Sequence, residues 1–262
     1  MTPPLAGRRI LVTRPEAQAA DLAAQIAAHG GEAVCFPLID ISPIDDWSAF
    51  DAATARLHTV QLVVFISPNA VDFSLPRLLA ARPWPRALQA AAIGPGTARR
   101  LADFGISGVI VPAARFDSEA LLELSPLQAT AVAGKRVLIL RGNGGRELLA
   151  ETLRARGAVV DCVTCYRRTA PRDAAPVVSL LRDGALDALT ISSSEGLRNL
   201  LELLDTDSLD RLRGLQLFVP HQRIAEEAER FGLPRVVLTG AADAGLVEGL
   251  CNYRWLEHER KR

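Results

Sequence analysis

The chain lacks a net charge: among its 262 residues, 30 Lys and Arg are matched by 30 Asp and Glu. No global field therefore recruits nucleic acid or an anionic membrane, and any polyanion needs a local basic site. Cysteine is scarce as well. Cys35, Cys162, Cys165 and Cys251 are too few to staple a fold of this length, which excludes a disulfide framework and fits a reducing compartment. No apolar run approaches the roughly 18 residues of a membrane helix. The opening MTPPLAGRR has no apolar core of signal-peptide length, so a cytoplasmic protein is expected. The strong catalytic signatures are also missing: there is no Walker A lysine loop, no G-x-S-x-G and no H-E-x-x-H. His29, His58, His221 and His258 are too scattered for a metal cluster, and no metal is expected.

What is present is a sequence written twice. AGRRILVTR, Ala6 to Arg14, returns as AGKRVLILR, Ala133 to Arg141, at an offset of 127 residues. The same offset links Gly30 to Gly157, Phe104-Gly105-Ile106 to Phe231-Gly232-Leu233, and Gly108-Val109-Ile110-Val111 to Arg235-Val236-Val237-Leu238. Only the middle slips, where VFISPN around Ser67 meets LTISSS around Ser192 at 125. Two copies of about 125 residues sit near the commonest domain size, so two cores are expected.

Within the first copy, apolar strands are expected at Ile10 to Thr13, Glu32 to Phe36, Gln61 to Ile66, Leu88 to Ile93 and Val109 to Val111. The second copy offers Arg136 to Leu140, Val159 to Tyr166, Ala188 to Ile191, Leu215 to Val219 and Arg235 to Leu238. Helical patterns alternate with them, which predicts parallel sheets covered on both faces, with ligands at the carboxyl ends of the strands. Two extended segments fenced by proline, Pro37 to Pro43 and Cys165 to Pro171, occupy equivalent places, with Tyr166 over Ile39. They have the composition of linkers.

Several residues could carry chemistry. Cys162-x-x-Cys165 lies inside a strand instead of opening a helix, which favours packing thiols over redox or metal chemistry. Arg141-Gly142-Asn143-Gly144-Gly145 resembles a dinucleotide turn, with Asp161 about 20 residues on as a ribose ligand at the end of the next strand. Glu147, however, replaces the third glycine and would repel a pyrophosphate. Ser67-Pro68-Asn69, Gly94-Pro95-Gly96-Thr97, Ser192-Ser193-Ser194 and Thr239-Gly240 place short polar residues at helix N-termini. There, free N–H groups suit carboxylates or phosphates, although each loop also reads as an ordinary cap. Arg14, Arg141 and Arg223 follow strand ends, where a guanidinium suits a carboxylate, although each reads equally as a solvated surface residue.

Taken in order, VTRP (Val12 to Pro15), FISPNAV (Phe65 to Val71), AIGPGTA (Ala92 to Ala98), LRGNGGRELLAETLRARGA (Leu140 to Ala158), Tyr166-Arg167-Arg168 and ISSSEGLRNL (Ile191 to Leu200) resemble the uroporphyrinogen-III synthase family over essentially the whole chain. The resemblance implies a cytosolic, cofactor-free monomer that cyclises hydroxymethylbilane to uroporphyrinogen III, with inversion of ring D and loss of water, in tetrapyrrole (haem) biosynthesis. Hand-over of the substrate by hydroxymethylbilane synthase is left open. The implied fold is α/β, with two similar domains, each a parallel β-sheet flanked by helices, joined by a two-stranded β-linker, and the substrate in the cleft between. On this chain, residues 1–37 with 170–262 would form a discontinuous domain, 44–164 an inserted one, and 38–43 with 165–169 the linker.

The family's chemistry starts with acid-assisted loss of the ring A hydroxyl to give an azafulvene cation. The substituted carbon of ring D then attacks to form a spiro-pyrrolenine, which fragments and re-closes. Tyr166 matches the family's hinge tyrosine and is either the proton donor or an aromatic that only shapes the site. Ser67, Asn69, Gly94, Thr97, Ser192, Ser193 and Ser194, with Arg14, Arg141 and Arg223, are the candidate binders of the substrate's carboxylates. The second copy departs from the family loop at Pro220-His221-Gln222-Arg223-Ile224, with Ile224 opposite Thr97, which leaves the roles of His221 and Arg223 open. A non-enzymatic binding module for a small anion and a nucleotide-dependent enzyme are the alternatives.

Overall fold

A computed structural model describes residues 2–144 and 147–255. In chain order the elements are β1 (Arg9–Val12), α1 (Glu16–Ala28), β2 (Glu32–Cys35), β3 (Asp40–Pro43), α2 (Ser48–Ala55), β4 (Leu62–Phe65), α3 (Pro68–Ala81), β5 (Gln89–Ala92) and α4 (Pro95–Asp103). They continue with α5 (Ser118–Glu123), α6 (Ala129–Val132), β6 (Arg136–Gly142), α7 (Leu148–Ala155), β7 (Val159–Thr169), α8 (Ala175–Arg182), β8 (Ala188–Thr190) and α9 (Ser194–Leu203). The last are α10 (Thr206–Arg213), β9 (Gln216–Val219), α11 (Gln222–Arg230), β10 (Val236–Leu238) and α12 (Ala242–Asn252).

The chain folds into two compact units, one of Met1–Asp40 with Thr169–Arg262, the other of Ile41–Arg168. Neither unit is a sequence copy. The first takes β1 and β2 from the first copy and β8, β9 and β10 from the second, with its sheet in the order β10-β9-β8-β1-β2. The second unit takes β6 and β7 from the second copy and β4 and β5 from the first, in the order β3-β7-β6-β4-β5. By place in the sheet, β1 corresponds to β6, β2 to β7, β8 to β4 and β9 to β5. β1 pairs in parallel with β2 and β8, and β6 with β7 and β4. In each sheet the strand order reverses beside β1 or β6, where open α/β sheets bind their ligands.

Parallel sheets are buried on both faces, which is why β4, Leu-Val-Val-Phe, is buried throughout. In the second unit, Val63, Phe65, Leu138 and Leu140 pack towards α2 and α3 through Phe50, Val71 and Leu75. On the other face Val64, Val137 and Ile139 meet Leu121 of α5 and Leu149 and Leu153 of α7. The first unit repeats this arrangement. Leu11, Leu189 and Leu217 pack with Val177, Leu197 and Ile224 of α8, α9 and α11. Ile10, Val12 and Phe218 pack with Leu22 of α1 and Leu246 of α12. Gly30 and Gly157 follow α1 and α7 at φ +85° and +87°. This left-handed turn suits glycine, and it accounts for the glycine at this place in both copies.

Two sequence expectations change. Val109 to Val111 does not form a strand and contributes one isolated bridge, Ile110 to Ala91, where the second copy has β10. A helix not expected, α10, follows Asp205, whose carboxylate accepts from the Ser208 N–H at 2.9 Å. The two linker segments lie side by side, as β3 and the end of β7. β7 runs without a break from Val159 to Thr169, and β3 lies beside it as the edge strand of the second unit's sheet. Among the described residues no helix is long and apolar enough to cross a membrane.

Candidate functional site

In the second unit the polar residues gather where β4, β6 and β7 end. Ser67 follows β4 in extended conformation, and its Oγ accepts from the Ala70 N–H at 3.1 Å, capping α3. The Tyr166 hydroxyl lies 3.0 Å from that Oγ. Tyr166 is only 1% exposed, and its ring stacks on Phe73 with centroids 6.0 Å apart.

A bulge brings the ring there. Arg141 pairs with Thr164 but Gly142 with Tyr166, so Cys165 is one residue too many in β7. Val163 and Cys165 already face the α2 and α3 core, and the extra residue turns Tyr166 to the same side. Gly142 makes the space. A Cβ there would lie 2.7 Å from two ring carbons of Tyr166. Asn143 then fastens the strand beyond the bulge. Its N–H donates to the Tyr166 carbonyl at 3.2 Å, its amide NH2 donates to the Arg168 carbonyl at 3.1 Å, and its amide oxygen accepts from the Arg168 N–H at 2.5 Å.

The thiols fit packing. Cys165 is fully buried, and its Sγ lies 3.4 Å from the Arg141 carbonyl. Burial pushes its thiol up to about 12, and burial also raises that of Cys162. A thiol so shifted stays protonated and unreactive near neutrality.

The neighbouring loops of this unit bring further candidates together. Gly94 caps α4 and lies under the exposed Phe116, whose Cβ would be 3.3 Å from a Cβ at Gly94. A Cβ at Gly96 would touch Pro68 at 3.9 Å, so the starts of α3 and α4 adjoin. Asn69 is half-buried and Thr97 is 4% exposed. Arg141 is engaged by Glu147 at 2.7 Å. Asp161, expected at a strand end, instead sits near the start of β7, opposite Leu138 and 4.0 Å from Arg136. That is the wrong end of the sheet for a ribose next to the Gly142 turn, which follows the carboxyl end of β6. Gly145 of that turn lies outside the described residues.

In the first unit Arg14 pairs with Asp243 in the first turn of α12. Ser193 caps α9, its Oγ accepting from the Gly196 N–H at 2.9 Å, with Ser192 and Ser194 half-buried on either side. Strand register makes Ser193, not Ser192, the counterpart of Ser67. Ile10 pairs with Ala188 as Val137 pairs with Leu62, which sets the local offset at 126 between Leu62 and Ala188. The place of Tyr166 is held by Ile39, 4% exposed. His221 is exposed and precedes α11 without a side-chain cap bond, and Arg223 is exposed with no ion pair among the described residues. Thr239 does not cap α12: Ala241 stands there, and the Thr239 hydroxyl donates to the Val219 carbonyl at 3.3 Å and the Gly240 carbonyl at 3.0 Å.

Sequence reasoning missed the Asn143 clasp, the Asp243 partner of Arg14 and the cover that Phe116 gives Gly94. The first two join residues 25 and more positions apart, for which no local pattern exists. Phe116 had a signal, an aromatic directly before the Asp117 cap of α5. Among the described residues no group of three or more His, Cys, Asp or Glu could hold a metal ion.

A family model described as Uroporphyrinogen-III synthase HemD matches residues 20–248. The chain is 35% identical over 237 residues to the uroporphyrinogen-III synthase of Escherichia coli (strain K12), covering 89% of this chain and 96% of that one. It is 37% identical, with the same coverage, to the uroporphyrinogen-III synthase of Salmonella typhimurium (strain LT2). Two solved structures share the fold. A mutant uroporphyrinogen III synthase from the extremely thermophilic bacterium Thermus thermophilus superposes with a TM-score of 0.62 at 17% identity, covering 93% of this chain and 97% of that one. The Helicobacter pylori 26695 uroporphyrinogen-III synthetase gives 0.60 at 16% identity, covering 92% and 97%. With a family model over most of its length and relatives more than a third identical from end to end, the chain belongs to the uroporphyrinogen-III synthase family.

Proposed function

We propose that this chain is the enzyme that cyclises hydroxymethylbilane to uroporphyrinogen III, with inversion of ring D and loss of water. The observation that carries it beyond family membership is the pair of hydroxyls, the buried Tyr166 and the half-buried Ser67, at the carboxyl end of the second unit's sheet. Loss of the ring A hydroxyl needs a proton, and this pair holds two hydroxyls within hydrogen-bond distance.

The rest of the protein's work is to fold a flexible polyanion so that the substituted carbon of ring D becomes the nearer nucleophile, and to keep water from the cation. The starts of α3, α4 and α9 offer free N–H groups at positive helix ends for carboxylates, through the loops of Ser67, Asn69, Gly94, Thr97 and Ser192 to Ser194. Arg223 is available as a further partner. Arg14 and Arg141 would bind a substrate carboxylate only by releasing Asp243 and Glu147, exchanging one carboxylate for another. We assign the chain to the cytoplasm, as a monomer that receives its substrate from hydroxymethylbilane synthase.

The test is the product isomer. Supplied with hydroxymethylbilane generated by hydroxymethylbilane synthase, the purified chain should yield the type III isomer after oxidation to the porphyrin. Type I alone, the spontaneous product, would refute the reading.

A further inference from the structure

We infer that Ser67, and not Tyr166, presents the proton to the departing hydroxyl, and that Tyr166 acts through Ser67 by recharging it. The inference rests on the cyclase reading above and assigns roles within it.

Accessibility is the first reason. Tyr166 is 1% exposed, enclosed by Phe73 on its face and by Gly142, where even a Cβ would come within 2.7 Å of the ring. All of these neighbours belong to the same unit, so the ring is buried by its own core. Ser67, 3.0 Å from the phenol oxygen, is half-buried and is the outer member of the pair.

Hydrogen-bond inventory is the second. A serine hydroxyl has two acceptor positions and one donor. The Ala70 N–H occupies one acceptor position at 3.1 Å. Either hydroxyl can donate across the 3.0 Å contact; in the proposed relay the Tyr166 O–H donates into the other position, which leaves the Ser67 O–H as the donor for the substrate. The cap therefore does two jobs: it starts α3 and it supplies a proton. The partial positive charge at the start of α3 also favours the tyrosinate that forms when the proton moves.

The step balances as follows. The C–O bond of the ring A hydroxymethyl group breaks, and the hydroxyl leaves as water with the Ser67 proton. Ser67 takes the Tyr166 proton. When the ring closes at the free α-carbon of ring D, that carbon loses its proton, which restores Tyr166. Nothing is oxidised or reduced.

The test separates capping from proton delivery. Asparagine caps helices about as well as serine, but its amide is a poor acid, whereas threonine keeps both functions. Ser67→Asn should fold with a near-normal thermal midpoint and lose about 100-fold in kcat, with little change in KM. Ser67→Thr should recover most of that rate. Tyr166→Phe should lose a comparable factor, and Ser67→Asn combined with Tyr166→Phe should be no slower than the worse single variant, because both break one relay. The solvent deuterium isotope effect on kcat in the unmodified protein should exceed that of Tyr166→Phe. Wild-type kcat in Ser67→Asn, or losses that multiply in the double variant, would overturn the relay. Either result, obtained with a chain that makes the type III isomer, leaves the cyclase reading standing.

Discussion

In the second unit Ser67 caps α3 with a Tyr166 hydroxyl 3.0 Å away, while in the first unit Ser193 caps α9 by the same bond and the place of Tyr166 belongs to the buried Ile39. The caps come from the shared scaffold, since any strand that delivers an extended serine to a helix start makes one. The hydroxyl behind the cap is not shared. It depends on β7 running 11 residues and bulging at Cys165, whereas β2, its counterpart, stops after 4. Duplication thus supplied two equivalent frames, and one of them has an acid group behind its cap.

Gly142→Ala should break this difference most severely. Its new Cβ would overlap a ring already stacked on Phe73, and overpacking of this kind costs about 1–3 kcal/mol. A lower urea midpoint together with a large loss of turnover is expected, and normal values of both would mean the ring is not held there. At the matching place the first unit carries Pro15, so Pro15→Ala should leave turnover nearly unchanged.

Comparing Ser67→Ala with Ser193→Ala sharpens the contrast. Each removes one cap bond, and each should lower stability by about 1 kcal/mol in denaturant titration. Their kinetics should diverge: kcat falls for Ser67→Ala, and KM rises for Ser193→Ala. Equal kcat losses would erase the distinction between the units.

The smallest effect concerns the thiols. Cys165, buried in the bulge with its thiol pushed up to about 12, should resist iodoacetamide in mildly alkaline native buffer, while the exposed Cys35 reacts. Peptide mass spectrometry reads the difference, and labelling of Cys165 at the rate of Cys35 would place it outside the core.

Much of this frame was legible in the residues. The strand-helix alternation and the capping roles of Ser67 and the Ser192 to Ser194 run are local properties of sequence, and the structure has them where they were expected. Asp161 was misplaced because position along a sheet is set by pairing, which puts it opposite Leu138 near the start of β7. The motif alignment at 125 erred by one residue for the same reason, since register is fixed by pairing. The Asp205-Thr206-Asp207-Ser208 run that opens α10 did carry a capping signature, but its helix is thin in apolar residues, with Leu209 and Leu212 facing the core.

The sequence by itself determined that there are two α/β cores, where their helices begin, and which family the motifs resemble, because propensity, capping and hydrophobic period act over a few residues. Only the tertiary structure decided how Tyr166 faces. A side chain in a strand changes faces with each added residue, so the one-residue bulge at Cys165 reversed the direction of Tyr166 and set its hydroxyl against Ser67. That reversal exists only in the pairing of β7 with β6.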